Sequence, residues 1–244
     1  MTILAAVLAF QIITVSMHPD HPGVVVAGSV ASIRGIVWSN ENTRGNIFEG
    51  DESLAGYTVT LGGAPCRIRW VSPTDVNIIV PDVGIGTRVL QIAGPAGAFS
   101  ANVEVVQYQP LLLEQGGYVI ASSAAAMWPR LYLKGEPIPT GPTTFNYLSV
   151  QAAGLPVGVV SDVTVILDGA THHEVSAKSY WMPGFAGVTN VLWFPPLCLD
   201  GEYSIRIRAG GVESGASRIV FAGACVVPRD SFQSRDALPR RVLR

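Results

Sequence analysis

Short runs of Val, Ile, Thr and Leu, interrupted every few residues by glycine or proline, recur along most of this chain of 244 residues. The 26 glycines and 17 prolines are spread over the whole length. Long helices are disfavoured, because glycine costs conformational entropy in a helix and proline removes a backbone donor. β-Branched residues between turn residues favour short strands joined by tight turns. The sequence therefore predicts an all-β protein.

The strand-like runs fall into two groups. The first consists of residues 23–37, 57–61, 67–71, 76–80, 88–93 and 101–106. The second consists of residues 147–152, 163–167, 188–194, 203–208 and 217–221. Prolines interrupt the stretch between the groups, and proline has no donor for a sheet. We predict two tandem antiparallel β-sandwiches, residues 16–107 and 108–228, with the linker near Tyr108 and a C-terminal tail at 229–244.

The two groups contain similar segments. The sequence Val59-Thr-Leu-Gly-Gly-Ala64 is similar to Val165-Ile-Leu-Asp-Gly-Ala170, and Val76-Asn-Ile-Ile-Val-Pro81 is similar to Thr189-Asn-Val-Leu-Trp-Phe-Pro195. Repeated segments indicate a duplicated unit. Each unit would then bury its own core between two sheets.

These segments also resemble a known module. Turn-and-strand motifs such as Pro22-Gly23, Gly62-Gly63-Ala64-Pro65 and Ala153-Gly154-Leu155-Pro156 resemble a C-terminal module of secreted acidobacterial proteins, which is related to the IPT/TIG immunoglobulin-like domains. The resemblance spans residues 16–222. It implies two immunoglobulin-like sandwiches in an exported, non-enzymatic protein, with no catalytic residues to carry over.

The charge excludes one class of partner. Sixteen basic and eighteen acidic residues give a formal charge of −2, which supplies no positive field for nucleic acid. With 48% hydrophobic and only 14% charged residues, the surface should favour contact with other molecules. The basic tail at 229–244 is either a frayed terminus or a contact for an anionic partner.

Residues 1–15 are almost entirely apolar but too few to cross a bilayer. Three interpretations remain open: a remnant of a signal peptide, a short anchor, or the first strand of the sandwich. Membrane contact, if any, is expected only through this segment.

The three cysteines are Cys66, Cys198 and Cys225. If residues 203–208 pair with residues 217–221 around a turn near Val212, then Cys198 and Cys225 lie opposite each other at the open end of that hairpin. A disulfide there would contribute about 3 kcal/mol and would indicate an oxidising compartment. The alternative is two buried thiols. We expect Cys66, next to the Gly62-Gly63 turn, to be a lone small hydrophobic residue.

No short motif with a known catalytic or phosphate-binding mechanism occurs in the chain, so we expect no enzyme and no cofactor. A hydrolase whose carboxylates meet only in space remains the enzymatic alternative. The stretch His18-Pro-Asp-His21 offers two imidazoles and a carboxylate, but without further ligands we expect a surface turn and no metal. We expect His172-His173-Glu174 to form a polar hairpin tip.

Two segments are candidate binding sites. The loop at 39–53 concentrates amide and carboxylate oxygens suited to a cation or a sugar, and includes Asn40 and Asn42. Trp181 and Phe185 flank a Pro-Gly turn and could form an exposed aromatic surface or cap the second core. We expect Trp193 and Phe194 to lie in that core.

The sequence favours a non-catalytic structural or protein-interaction protein, an accessory subunit or surface module of a larger assembly. It would be extracellular, periplasmic or on the cell surface, with another protein or a cell-surface assembly as partner. The alternative is a carbohydrate-binding β-sandwich that uses Trp181, Phe185 or the loop with Asn40 and Asn42.

Overall fold

The computed structural model describes residues 13–17, 22–46, 49–123, 130–140, 147–181, 188–196 and 198–223, with only the backbone of Ser16 and Trp181. Every regular element in these ranges is a β-strand, which confirms the all-β prediction. Among the described residues there is no helix of the length and hydropathy needed to cross a membrane.

Ten strands of the described residues form the first sheet. They are β1 (Thr14–Ser16), β2 (Val24–Val26), β3 (Val30–Arg34), β4 (Thr43–Arg44), β5 (Ser53–Leu54), β6 (Tyr57–Leu61), β7 (Ala64–Val71), β8 (Val76–Ile79), β9 (Gly86–Gly94) and β10 (Gly97–Val106). Their order is β1-β3-β8-β7-β6-β9-β10-β2, with β4 beside β7 and β5 beside β6. Buried side chains from strands throughout this order, Ile33, Ile78, Leu61 and Leu90 among them, form one core.

Thirteen strands of the described residues form the second sheet. They are β11 (Leu111–Leu112), β12 (Glu114–Gln115), β13 (Tyr118–Val119), β14 (Ala121–Ser123), β15 (Arg130–Tyr132), β16 (Ile138–Thr140), β17 (Leu148–Ala153), β18 (Ser161–Asp168), β19 (His172–Trp181), β20 (Thr189–Trp193), β21 (Gly201–Ala209), β22 (Val212–Glu213) and β23 (Ser217–Gly223). A separate core includes Leu148, Val165, Trp193 and Phe221.

Both sheets pair six of their strands in the same order. The order β17-β20-β19-β18-β21-β23 in the second sheet matches β3-β8-β7-β6-β9-β10 in the first. In each, the five pairings within this order are antiparallel, whereas the next pairing, β10 with β2 or β23 with β13, is parallel. The similar segments lie at equivalent places: one pair covers the β6–β7 and β18–β19 turns, the other β8 and β20.

Several strands differ from the sequence prediction. Residues 172–181 form β19, a strand that the polar-rich sequence did not predict, and His172 and His173 begin it instead of forming the hairpin tip. Short strands also form in part of the proline-interrupted stretch after Tyr108. They pair with β17 and β23 towards the edges of the sheet, where proline is tolerated. Ile13 and Val15 are buried in the first core, which supports the strand interpretation for that part of the apolar segment.

Phe194 corrects another expectation. Trp193 is in the second core with 1% of its surface exposed, as predicted, but Phe194 is 52% exposed. Successive side chains of a strand point to opposite faces, so an inward Trp193 directs the next residue outward. Outside the core, the Phe194 ring lies 4.1 Å from that of Tyr147.

The two sheets contact each other at glycine positions. A Cβ at Gly154, after β17, would lie 3.0 Å from Cε of Met17, which follows β1. A Cβ at Gly28 would lie 2.6 Å from Cγ2 of Val157, so only glycine allows this approach. Beside the contact is a cleft of about 460 Å³, lined mainly by apolar residues that include Val26, Ile85 and Val159.

Candidate functional site

The site begins with an irregularity in β7. Ile68 lies opposite Ile78 and Trp70 opposite Asn77, so Arg69 is an extra residue in β7. Such a β-bulge changes which face the following side chains occupy. Ile68 and Val71 are both fully buried in the first core, whereas Arg69 and Trp70 are partly exposed. The bulge therefore places Trp70 on the outer face of the sheet.

Trp70 is part of a row of side chains across four strands. Direct pairing places Ser32 of β3 beside Asn77 of β8, Asn77 beside Trp70 of β7, and Trp70 beside Arg44 of β4. We call these four residues the Trp70 row. The row borders a groove of about 260 Å³, which is also lined by Val30 and Arg69.

Arg44 holds the indole ring in place. Its guanidinium carbon lies 4.6 Å from the centre of the Trp70 ring, a cation–π contact. Arg44 makes no ion pair with any residue that the structure describes. Its charge and its remaining N–H donors therefore stay available at the groove.

Asn77 presents donors to the same groove. The hydroxyl of Ser32 donates to Oδ1 of Asn77 over 2.7 Å. The two N–H groups of the Asn77 amide have no acceptor among the described residues. Ser32 thus orients the amide and leaves its donors for a ligand.

Arg69 is the other arginine that lines the groove. Burial lowers the pKa of the Arg69 guanidinium, which lines it. Arg34 is ion-paired with Asp75, and Nη2 of Arg67 lies 3.8 Å from Oε1 of Glu52. Arg44, by contrast, lies over the Trp70 ring and has no carboxylate partner in the described ranges.

The groove carries groups suited to binding a ligand. A flat aromatic ring packs against the apolar face of a ligand, while amide and guanidinium N–H groups bond its oxygens. The described lining contains no carboxylate, imidazole or thiol that could act as a base or nucleophile. A hydroxyl-rich ligand with apolar ring faces, such as a sugar chain, matches these groups.

Two of the four predicted binding residues, Asn40 and Asn42, are fully described. Asn40 and Asn42 are exposed in the connection between β3 and β4, which leads to Arg44 two residues later. Trp181 is the last residue of β19 in the second sheet, and Phe185 lies outside the described residues. Their roles stay predictions.

The loop at 39–53 is bonded to its own sheet. Asp51 pairs with Ile68 of β7 through both backbone groups, and its Oδ2 accepts from the N–H of Asn46 over 3.2 Å. In the part of the chain that the structure describes, no three His, Cys, Asp or Glu side chains converge to hold a metal ion. Residues His18 and His21 lie outside that part.

The hairpin predicted around Val212 is present, with Tyr203 opposite Ile219. Cys198 is disulfide-bonded, while Cys225 lies outside the described residues, so the pairing of the two stays a prediction. Cys66 is a buried free thiol, as expected, and burial raises its pKa to about 12.

Sequence reasoning missed Trp70, Asn77 and Arg44. One signal was present: Asn77 interrupts the apolar run 76–80, and asparagine is uncommon within strands. Trp70 gave no signal, since strict alternation after Ile68 assigns it to the core.

No family model matches the chain, and no curated protein matches it. Among solved structures it is similar to the mixed-linkage glucan utilisation protein SGBP-B of Bacteroides ovatus in complex with a mixed-linkage heptasaccharide, at 12% identity, covering 88% of this chain and 45% of that one, with a TM-score of 0.33. A structure with a xylogluco-oligosaccharide is matched at 13% identity, over 80% of this chain and 38% of that one, with a TM-score of 0.28.

The fibronectin(III)-like modules of Clostridium thermocellum CbhA are matched at 15% identity, over 88% of this chain and 96% of theirs, with a TM-score of 0.23. The chain spans less than half the length of the two structures that contain oligosaccharides. These TM-scores are too low to assign a shared fold or function.

Proposed function

We propose that this chain is a non-catalytic carbohydrate-binding protein built from two tandem immunoglobulin-like β-sandwiches. The matching order of six strands in the two sheets, each around its own core, supports the tandem arrangement. The disulfide at Cys198 supports a location outside the cytoplasm, at the cell surface or in the periplasm, because disulfides persist in oxidising compartments.

The Trp70 row carries the proposal. It places an outward, partly exposed aromatic ring between an arginine and an oriented amide, beside a groove, and the bulge in β7 turns that ring outward. An aromatic ring flanked by polar donors on an outer sheet face is an arrangement that suits a sugar ligand. Carbohydrate therefore replaces protein interaction as the leading function.

The test is native affinity electrophoresis of the full chain in gels that contain mixed-linkage β-glucan, xyloglucan, xylan or polygalacturonate. We expect at least one polysaccharide to retard the protein, and Trp70→Ala to weaken that binding about tenfold or more, as for other central aromatic contacts. No retardation by any polysaccharide would refute the proposal.

Tyr118→Ala is the matched control. Its ring also lies beneath an arginine, with Arg218 at 4.2 Å from the ring centre, but it is outside the Trp70 row. We expect this variant to bind as the wild type does. Equal losses in both variants would show that the effect is not specific to the Trp70 row.

Assembly with another protein is the second candidate function, and one observation favours it. Ile85 and Val159 are 65% and 60% exposed, and both line the cleft between the sheets. Exposed apolar side chains beside a cleft are typical of protein contacts. A photoreactive amino acid in place of Ile85 tests it in the native source: a crosslink to a defined protein supports assembly, and none contradicts it.

A further inference from the structure

The second sheet repeats the pattern of the Trp70 row. Asn190 of β20 occupies the place that Asn77 has on β8, both in strand order and in the similar segments. Gln151 of β17 pairs with Asn190 on one side, and Tyr180 of β19 pairs with it on the other. A polar residue, an asparagine and an aromatic residue thus follow one another across equivalent strands of both sheets. We call Gln151, Asn190 and Tyr180 the Tyr180 row.

The Tyr180 row faces solvent. The neighbours of Asn190 along β20, Thr189 and Val191, are buried, and so is Ser179 beside Tyr180. Because side chains alternate along a strand, the row lies on the outer face. Tyr180 is 43% exposed, and Asn190 and Gln151 are partly exposed.

Packing does not explain these residues. Neither side-chain amide of the Tyr180 row makes a hydrogen bond with any residue in the described ranges. Asparagine is depleted in strands, so its presence at equivalent places in both sheets calls for a reason other than strand stability. Two amides with free donors and acceptors beside an exposed phenol ring can bond and stack on a hydroxyl-rich ligand.

The surroundings of the row specify the ligand further. Lys178, the next outward residue before Tyr180 on β19, is ion-paired with Asp162 and so adds no free charge. Phe194, directly after β20, and Tyr147, directly before β17, extend the surface with a pair of aromatic rings whose centres are 4.1 Å apart. An extended aromatic and amide surface without free charge is complementary to a neutral polysaccharide chain.

We infer that the Tyr180 row is a second carbohydrate-binding site and that the protein binds a neutral polysaccharide at two sites per chain. This inference rests on the proposed function of the Trp70 row. One polymer chain can occupy both linked sites at once, which raises its affinity through avidity, whereas a short oligosaccharide occupies only one site. Affinity for the polymer should therefore exceed affinity for its oligosaccharide by at least about a hundredfold.

Isothermal titration of the full chain tests the inference with oligosaccharides prepared from mixed-linkage β-glucan and from xyloglucan. We expect two molecules bound per chain, one in Trp70→Ala, one in Tyr180→Ala and none in the double variant. Asn190→Ala removes a partly exposed amide outside the core, and this variant should also bind one oligosaccharide molecule per chain. Tyr118→Ala should bind two. Circular dichroism confirms that each variant is folded.

The outcomes separate the two proposals. Either of two results would overturn the second site and leave the proposed function intact. In the first, two sites persist in both Tyr180→Ala and Asn190→Ala. In the second, the wild type has one site, which only Trp70→Ala removes. No binding by the wild type would overturn both. If Tyr180→Ala instead changes self-association in sedimentation velocity without changing oligosaccharide binding, the face is a protein contact and the inference is wrong.

Discussion

At the scale of single residues, Tyr57 shows how one hydroxyl joins two loops to the first core. The side chain is 1% exposed, its hydroxyl donates to the carbonyl oxygen of Trp38, and the same oxygen accepts from the N–H of Ala96 over 3.2 Å. The ring also packs edge-to-face on Trp38, with centres 5.8 Å apart. The two loops are thereby fixed by a residue on neither of them.

We therefore expect Tyr57→Phe to lower the free energy of unfolding by about 1–3 kcal/mol, because two backbone groups lose their partner. Urea denaturation measures the change. Tyr203→Phe is the matched control, since Tyr203 is 4% exposed but its hydroxyl bonds no described residue. If Tyr203→Phe lowered the free energy of unfolding as much as Tyr57→Phe, this account would be contradicted.

At the scale of elements, the bulge in β7 decides which side chains the strand presents. Deleting Arg69 would restore regular alternation and keep Ile68 and Val71 inward and Trp70 outward. We expect this deletion to cost about 1–3 kcal/mol, because it removes the bond from the N–H of Gly45 to the carbonyl oxygen of Arg69 and the other interactions of Arg69, but keeps the core in register. Thermal unfolding measures it.

Deleting Arg67 provides the comparison. The same residue type is lost, but Cys66 and Ile68, both buried, would then be adjacent and point to opposite faces. We expect a loss of several kcal/mol or of cooperative unfolding, as a one-residue slip turns every following side chain over. Similar stability of the two deletions would show that the bulge does not set the register.

The outer face of the second sheet carries an ion-pair network that predicts sensitivity to acid. Arg206 contacts Asp168 at 2.7 Å and Glu213 at 2.5 Å, and Nε of Arg208 contacts Glu213 at 2.8 Å. Hydrogen bonds from His172 and Arg206 lower the pKa of Asp168, and the hydrogen bond from Arg208 lowers that of Glu213.

A carboxylate whose pKa is lowered in the folded state stabilises the protein at pH values above its ordinary pKa, which is 3.8 for Asp168 and 4.5 for Glu213. That stabilisation is lost as the pH falls from the ordinary pKa through the lowered pKa of the folded state. We expect the unfolding free energy to fall between about pH 5 and pH 2. Asp168→Asn combined with Glu213→Gln should make this decline shallower in urea titrations. Glu114→Gln, at an exposed carboxylate without a described ion pair, should leave its slope unchanged.

At the scale of the whole molecule, glycines control how closely the two sheets approach. Gly28 has φ +77°, and a Cβ there would lie 2.6 Å from Cγ2 of Val157, in the connection between β17 and β18 of the other sheet. Gly23 has φ +80° and no atom within 4 Å of the same position. An added side chain would strain the backbone equally at both glycines, because both have positive φ, but only at Gly28 would it also meet Val157.

We expect Gly28→Ala to reduce the unfolding free energy by about 1–3 kcal/mol more than Gly23→Ala, because the added methyl group must displace Val157. Small-angle X-ray scattering should show a larger radius of gyration for Gly28→Ala alone. Equal stability and equal radii for the two variants would mean that the sheets do not pack through this contact.

The amino-acid sequence by itself determined the features that depend on neighbours along the chain. Glycine and proline punctuation with β-branched runs fixed the all-β class, and alternation in Tyr57–Leu61 predicted a strand with those bounds. The hairpin around Val212 was also predictable, because its strands are close in sequence. β19 was missed because its polar outward residues hide a strand that its partners β18 and β20 stabilise.

Only the tertiary structure decided where the site lies. Ser32, Asn77 and Trp70 come from separate strands, and they meet because strand register aligns them. The bulge that turns Trp70 outward is a property of the pairing between β7 and β8, since Arg69 is extra only relative to its partner strand. Local patterns therefore specified strands and cores, whereas long-range pairing specified which side chains share a face.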